Sequence, residues 1–323
     1  SWDEAFQIAS EWLTPLREKA PEKLAFFTGR DQSQSLTSMW AQSFGTPNYA
    51  AHGGFCSVNM AAAGIYTMGG AFWEFGQPDW ERAEMFMIFG VAEDHDSNPI
   101  KLGLSRLKDR GAKVVGVNPV RSGYNAIADE WVGITPGTDG LFILSMIREL
   151  LIAGKVDLDY LIRYTNAPYL VNVTEGSPEN GLFLRNEDDE PMVLDRVTGK
   201  TVAWNKKGVK PNLQGEYTAK GVTYRPAFQL MAEKYVVDEY LPENIAEKTG
   251  IKAGTIRRLS AELAQTAFEK EIVIDQPWTD FRGEKHEKMI GRPVAFHAMR
   301  GISAHSNGFQ TCRALHLLQI LLG

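Results

Sequence analysis

Three short segments concentrate the residues of this chain that can hold an anion or a nucleotide. Residues 90–99 (GVAEDHDSNP) follow the apolar run 85–89, residues 118–122 (NPVRS) follow the run 112–117, and residues 135–140 (TPGTDG) follow the run 131–134. Together they offer the bare backbone of Gly90 and Gly137, the amide side chains of Asn98 and Asn118, the guanidinium of Arg121, the hydroxyl of Ser122 and the carboxylate of Asp139. A carboxylate accepts the N–H groups of guanine or a ribose hydroxyl, and a guanidinium grips phosphate. Gly, Pro, Asn and Asp also punctuate ordinary loops, so no single segment decides. Three of them at successive strand ends leave a nucleotide-like ligand and plain loop punctuation about equally open, because open α/β sheets bind ligands outside the carboxyl ends of their strands. No Gly-x-Gly-x-x-Gly occurs, which removes the standard NAD fingerprint.

Two further segments carry chemistry. His52-Gly53-Gly54-Phe55-Cys56-Ser57 sets a thiol between paired glycines and a run of small residues, Ala61-Ala62-Ala63-Gly64. Such packing lets a bulky group approach the backbone, and a thiolate suits a metal that cycles its redox state. A lone Cys is also an ordinary buried small hydrophobe. One Cys without a C-x-x-C cannot make a zinc site, so any metal here needs ligands from a cofactor. Residues 298–314 (AMRGISAHSNGFQTCRA) run from an apolar element into a helix, and could present Arg300, His305, Ser306 and Asn307 to a charged site. The alternative is a plain loop with Arg300 in a surface ion pair. Cys312, spaced with Leu315 and Leu318, reads as core.

The elements that must position these residues alternate strand and helix. Helices are expected over 3–19, 35–44, 99–111 and 140–153, and strands over 24–29, 85–90, 112–117 and 131–134. Residues 45–56 read as a loop. The order implies an α/β fold with a parallel sheet. Residues 172–224 read as short hairpins, and 243–267 as two short helices. A strand follows at 272–275, an element at 294–300 and a closing helix from about 311. The chain has 323 residues, 44% hydrophobic and 23% charged, with net charge −6. That suits a globular protein with a sizeable core and excludes the basic surface of a nucleic-acid binder. Two cysteines exclude a disulfide framework, and no apolar run is long enough for a transmembrane helix.

The ordered set of segments resembles the molybdopterin oxidoreductases of the dimethyl sulfoxide reductase type. The match includes Ser1-Trp2-Asp3-Glu4-Ala5, Gly45-Thr46-Pro47-Asn48, Cys56 and Gly90 with Asn98-Pro99. It continues through Gly111-Ala112-Lys113 with Asn118-Pro119, Ala128-Asp129 with Pro136-Gly137-Thr138-Asp139, Arg300-Gly301 and Asn307-Gly308. It is weakest over 172–224. The resemblance implies the family's central domains, which are Rossmann-like parallel sheets with helices on both faces. It also implies one molybdenum (or tungsten) ion held between two molybdopterin guanine dinucleotides, with Cys56 as the protein's metal ligand. The regions of Gly90, Asn98, Asn118, Arg121, Ser122, Gly137 and Asp139 would bind one dinucleotide. Arg300, His305, Ser306 and Asn307 would lie near the metal and the other pterin. The family's usual Asp-Pro-Arg is Asn118-Pro119-Val120-Arg121 here, which leaves the guanine contacts open.

On this resemblance the chain is expected to be an internal fragment, inactive alone. A [4Fe-4S] segment would precede it and a C-terminal domain would follow. Residues 1–51 plus 225–323 are expected as one discontinuous domain and 52–224 as an inserted cofactor-binding domain. The whole enzyme would exchange two electrons and an oxygen or sulfur atom with an inorganic sulfur anion such as sulfite, polysulfide or thiosulfate. Arg300 would bind the anion and His305 or His52 would move protons. The expected partners are a membrane anchor and a ferredoxin-like iron–sulfur subunit, in a cytoplasmic, membrane-associated complex rather than a periplasmic one. The rival readings are a metal-free scaffold that keeps the fold and a thiamine-diphosphate enzyme, whose Gly-Asp-Gly motif is not visible.

Overall fold

The computed structural model describes residues 1–29, 34–56, 58–70, 78–91, 99–298 and 300–323. Asn98 lies outside the described residues, as does the side chain of Cys56.

An N-terminal stretch holds α1 (Trp2–Lys19), β1 (Phe26–Phe27), α2 (Gln34–Phe44) and β2 (Tyr49–Ala50), with β1 and β2 paired in parallel. Ser1 caps α1, its hydroxyl accepting from the Glu4 amide, and Asp3 and Glu4 stand where the helix dipole favours acids. The periodicity of α1 is as expected, but no residue of it is buried; Trp2, Phe6 and Trp12 are 80%, 64% and 75% exposed. The stretch expected as a loop over 45–56 contains β2 and the short helix α3 (Gly53–Cys56), and α4 (Val58–Met68) follows.

The central sheet is parallel. It is built from β3 (Met85–Phe89), β4 (Lys113–Val117) and β5 (Glu130–Val132), linked through α5 (Pro99–Asp109) and α6 (Tyr124–Ile127). Alternate side chains serve two cores, as a period of two dictates. Met85, Met87, Phe89, Val115 and Val117 face one helical layer. Phe86, Ile88 and Val114 face α5 and Tyr124. Strands buried on both faces read as continuous apolar runs, which is why β3 and β4 were legible.

The chain then forms α7 (Asp139–Ile152) and α8 (Leu158–Tyr164). An antiparallel region follows, with β6 (Leu170–Asn172), β7 (Met192–Leu194), β8 (Thr201–Ala203), β9 (Tyr217–Ala219) and β10 (Val222–Pro226). Helices α9 (Ala227–Tyr235), α10 (Pro242–Thr249) and α11 (Ala253–Glu269) come next. Two antiparallel pairs follow, β11 (Ile272–Ile274) with β14 (Met289–Gly291) and β12 (Trp278–Thr279) with β13 (Lys285–His286). Finally β15 (Val294–Ala298), α12 (Arg300–Ser303) and α13 (Gly308–Leu322) close the described chain.

The division expected at residue 225 is not the division of the central sheet. β15 pairs in parallel with β3 over five residues, giving the order β15-β3-β4-β5. α13 packs on α4 and α7 within one core that also includes Ile256, Leu259 and Leu263 of α11. Residues 294–322 therefore share a sheet and a core with 58–152. Among the described residues no helix is long and apolar enough to cross a membrane.

Candidate cofactor and active site

Because all four central strands run the same way, the segments after β3, β4 and β15, together with residues 135–140 beyond β5, lie at one edge. Gly90 leaves β3 with φ +63°, a left-handed conformation that favours glycine. The next contact is tighter: a β-carbon on Gly301 would lie 2.2 Å from the Gly90 carbonyl oxygen, so α12 lies directly against the first loop. Arg300 is exposed at the start of α12.

After β4, Asn118 is 4% exposed; its Oδ1 accepts from the Val120 amide at 3.1 Å and its carbonyl accepts from Trp131 Nε1 at 2.9 Å. That bracing turns Arg121 and Ser122 outward, where both are exposed. After β5, Thr138 Oγ1 donates to the Thr135 carbonyl at 2.7 Å and sets the start of α7.

The α7 and α13 N-termini meet. Asn307 stands just before α13 and its Nδ2 donates to the Gly137 carbonyl at 2.8 Å. A β-carbon on Gly137 would lie 3.8 Å from His305 Nδ1, and one on Gly140 would lie 2.9 Å from Thr311 Oγ1. Gly137, Asp139, Gly140, His305 and Asn307, drawn from segments far apart in sequence, are thus brought together. Ser306 is exposed beside them. Two helix N-termini side by side make a positive potential suited to phosphate. Asp139 is 7% exposed. Burial raises its carboxyl pKa, while its own backbone amide and the charge of His305 pull the other way.

Three supporting residues had no signal in the sequence. Asn59, on α4, donates through Nδ2 to the carbonyls of Ser303 at 2.8 Å and His305 at 3.3 Å, which ties the segment after Cys56 to the loop before α13. Asn125, fully buried, donates to the Val91 carbonyl at 2.9 Å beneath the first loop. His297, near the carboxyl end of β15, is 4% exposed, and neither ring nitrogen has a hydrogen-bond partner among the described residues. Burial lowers its pKa to about 4, so the ring is neutral at pH 7. His52, immediately before α3, also has a buried and unpartnered Nε2. Cys56 closes α3, three residues before Asn59 in the chain. Cys312 is fully buried in α13 with its thiol pushed up to about 12, so it is core.

Orphaned buried nitrogens cost roughly 1–3 kcal/mol each. Their presence, with the glycine-lined closeness of Gly90 to α12 and the paired helix N-termini, fits a large anionic ligand laid across the carboxyl edge.

By class this is an α/β protein with its polar loops gathered at the carboxyl edge of a parallel sheet, where such folds bind their ligands. The chain belongs to the molybdopterin oxidoreductase family, which it matches over residues 1–323. It is 50% identical to a sulfite dehydrogenase subunit of Allochromatium vinosum, over the whole of this chain and 34% of that protein. It is 29% identical to a tetrathionate reductase subunit of Salmonella typhimurium, over 87% of this chain and 28% of that one. It is also 29% identical to the molybdopterin-containing subunit of thiosulfate reductase from the same organism, over 63% and 26%. The chain therefore spans about a third of the length of these curated relatives, or less. Among solved structures it resembles acetylene hydratase from Pelobacter acetylenicus, with TM-score 0.58 and 17% identity, over all of this chain and 33% of that one. That likeness bears on the fold alone.

Proposed function

We propose that this chain is the central part of the catalytic subunit of a molybdenum oxidoreductase acting on an inorganic sulfur anion, sulfite in the first instance. The observation that carries the substrate is the 50% identity to a sulfite dehydrogenase subunit over the full chain. The bound molybdopterin–molybdenum group would supply the two-electron chemistry and the oxygen- or sulfur-atom exchange.

The chain's own residues hold and orient. In the bis(guanine dinucleotide) form of the cofactor, the Asp139 carboxylate matches the paired N–H donors of guanine. Arg121, Ser122 and the joined N-termini of α7 and α13 receive phosphates. The bare backbones of Gly90 and Gly137 let the ligand lie close, with Asn118 beside it. Ser306 and Asn307 hold the second pterin's side of the cleft, and Cys56 is the metal ligand. Arg300, exposed on α12, draws in the sulfur anion. His305 takes or returns protons at the rim, with His52 as the inner alternative. An iron–sulfur cluster and a ferredoxin-like subunit of a membrane-associated complex would supply the path by which electrons leave.

The test is molybdenum and pterin content of the full-length protein, with Cys56→Ala beside it, and sulfite oxidation with an artificial acceptor. Metal with two guanine dinucleotides per chain, an altered molybdenum spectrum in the variant and sulfite-dependent turnover are expected. A wild-type spectrum in the variant would remove Cys56 as ligand, and turnover with thiosulfate or tetrathionate alone would replace the substrate.

A further inference from the structure

A second cavity stands apart from the carboxyl edge. It has a volume of about 590 Å³ and lies between α8, the C-terminal half of α13, the end of α4 and the turn joining β12 to β13. Among the described residues three guanidinium groups line it, Arg163, Arg282 and Arg313, and no Asp or Glu does. Its aromatic wall includes Trp204 and Phe281, whose rings are stacked 13° from parallel with centroids 6.3 Å apart.

Arg282 is the centre of this arrangement. Its guanidinium carbon stands 5.1 Å from the Trp204 ring centroid and 5.6 Å from that of Phe281. One Nη donates to the Ile162 carbonyl at 3.4 Å, while its Nε is buried with no hydrogen-bond partner among the described residues. Thr67 Oγ1, on the same cavity, is likewise buried and unpartnered. The other two cations also rest on aromatic rings, Arg163 at 6.0 Å from the Tyr164 centroid, to which it also hydrogen-bonds, and Arg313 at 5.7 Å from that of Phe309. Arg163 is 3.7 Å from Glu284, which does not line the cavity, and Arg313 Nη1 donates to Gln310 at 2.9 Å. The neighbouring turn needs no ligand to explain it. Asp280 accepts from the amides of Arg282 and Glu284 and bonds His286 at 3.1 Å, so its carboxylate holds the turn together.

We propose that this cavity is a binding site for a small aromatic anion, a planar ring system bearing a carboxylate or sulfonate group. The charge follows from three lining arginines with no acid among the described lining residues, Arg163 alone having an acid, Glu284, at 3.7 Å from outside the cavity. The planar ring follows from the Trp204, Phe281 and Arg282 faces, which stack on flat groups. Size excludes an inorganic sulfur anion as the natural occupant. Such an ion fills roughly two water volumes, about 60 Å³, and would leave most of the cavity empty. None of the three arginines belongs to the loops of the carboxyl edge, so this site does not depend on the sulfur chemistry proposed above.

The test uses the full-length protein and two probes, 1-anilinonaphthalene-8-sulfonate and its uncharged analogue N-phenyl-1-naphthylamine. One saturable site for the sulfonate is expected, with the uncharged probe bound about tenfold more weakly. Arg282→Gln and Trp204→Ala should each weaken the sulfonate by about tenfold, and Arg313→Gln by a smaller factor, while molybdenum content stays at the wild-type level. If Arg282→Gln does not fold, Arg313→Gln and Trp204→Ala decide. Equal binding of the two probes, unchanged affinity in the variants, or no saturable site would overturn the proposal and leave ordered water as the partner of Arg282 Nε and Thr67. Loss of sulfite turnover with normal probe binding would overturn only the reading of the carboxyl edge.

Discussion

Gly301 sets how closely α12 lies against the first loop. Both groups at that contact are backbone, so neither can swing aside, and a β-carbon 2.2 Å from the Gly90 oxygen must displace the helix. Overpacking of this kind costs about 1–3 kcal/mol. In full-length protein Gly301→Ala is expected to lower molybdenum and pterin content by moving Arg300 and the loop before α13. Wild-type content would mean that α12 shifts without loosening the edge. His316 makes a different prediction. It is fully buried on α13, and burial lowers its pKa from 6.5 to about 4. Between those values the unfolded chain binds the proton and the folded one does not, so stability is complete above 6.5 and falls as pH drops through the window. At pH 5 the deficit is about 2 kcal/mol. His316→Leu should therefore unfold at a higher temperature relative to wild type at pH 5 than at pH 7.5, and an equal difference at both would refute a neutral buried ring. At this scale Asp139, Asn307 and Gly137 could be singled out from residue type alone, and the structure brings them together at one edge. Asn59, Asn125 and His297 could not, because a lone Asn or His gains a role only from tertiary neighbours, and Asn59 bonds a carbonyl 244 residues away.

At the scale of elements, the strands β3 and β4 announced themselves as apolar runs, but β15 did not announce its partner. Its sequence, VAFHA, is short and mixed, and its membership of the central sheet rests on parallel pairing with β3. Parallel partners are joined by long crossovers, so no hairpin signal marks them. That is why the sheet and core shared by residues 294–322 and 58–152 could not be read from the sequence. The docking of α11 was equally hidden. It rests on Leu259 and Leu263 in the core and on a charged network at the strand starts. Lys113 of β4 bonds Glu262 and lies 3.0 Å from Glu130, and Arg258 bonds both carboxylates. Burial works against the charged forms of Glu130 and Glu262, but the hydrogen bonds from Arg258 and Lys113 outweigh it and hold both below the usual carboxylate range. Lowered acid pKa values give stability that is present above the ordinary carboxylate range and lost as pH falls through the folded values. Arg258 is 44% exposed, so solvent discounts its share, and Arg258→Leu should cost about 1 kcal/mol at neutral pH. Thermal unfolding in low and high salt checks it: the gap to wild type should narrow with salt and vanish in acid. A gap that ignores both would make the loss one of packing.

For the molecule as a whole, the four central strands hold the carboxyl edge from below while the loops above it carry the groups that bind. Strand register is fixed by paired backbone and by two cores, one on each face. The edge instead carries an acid, Asp139, whose pKa burial raises, and His297, one residue before the end of β15, has no ring-nitrogen partner among the described residues. A ligand that binds only the folded state stabilises what it touches, and regions of low contact open first. Hydrogen exchange on full-length protein, cofactor-loaded against cofactor-free, should therefore differ most over residues 90–91, 118–122, 135–140 and 300–308. It should differ least over the antiparallel region 170–226, whose strands pair among themselves. Uniform protection would mean that the cofactor acts on global stability, with the edge already ordered without it. Protection centred on the cavity of Arg282 would place the cofactor's nucleotide there and exchange the roles of the two sites. Protection confined to the edge would show that the four loops, separated by more than half the chain, act as one binding surface.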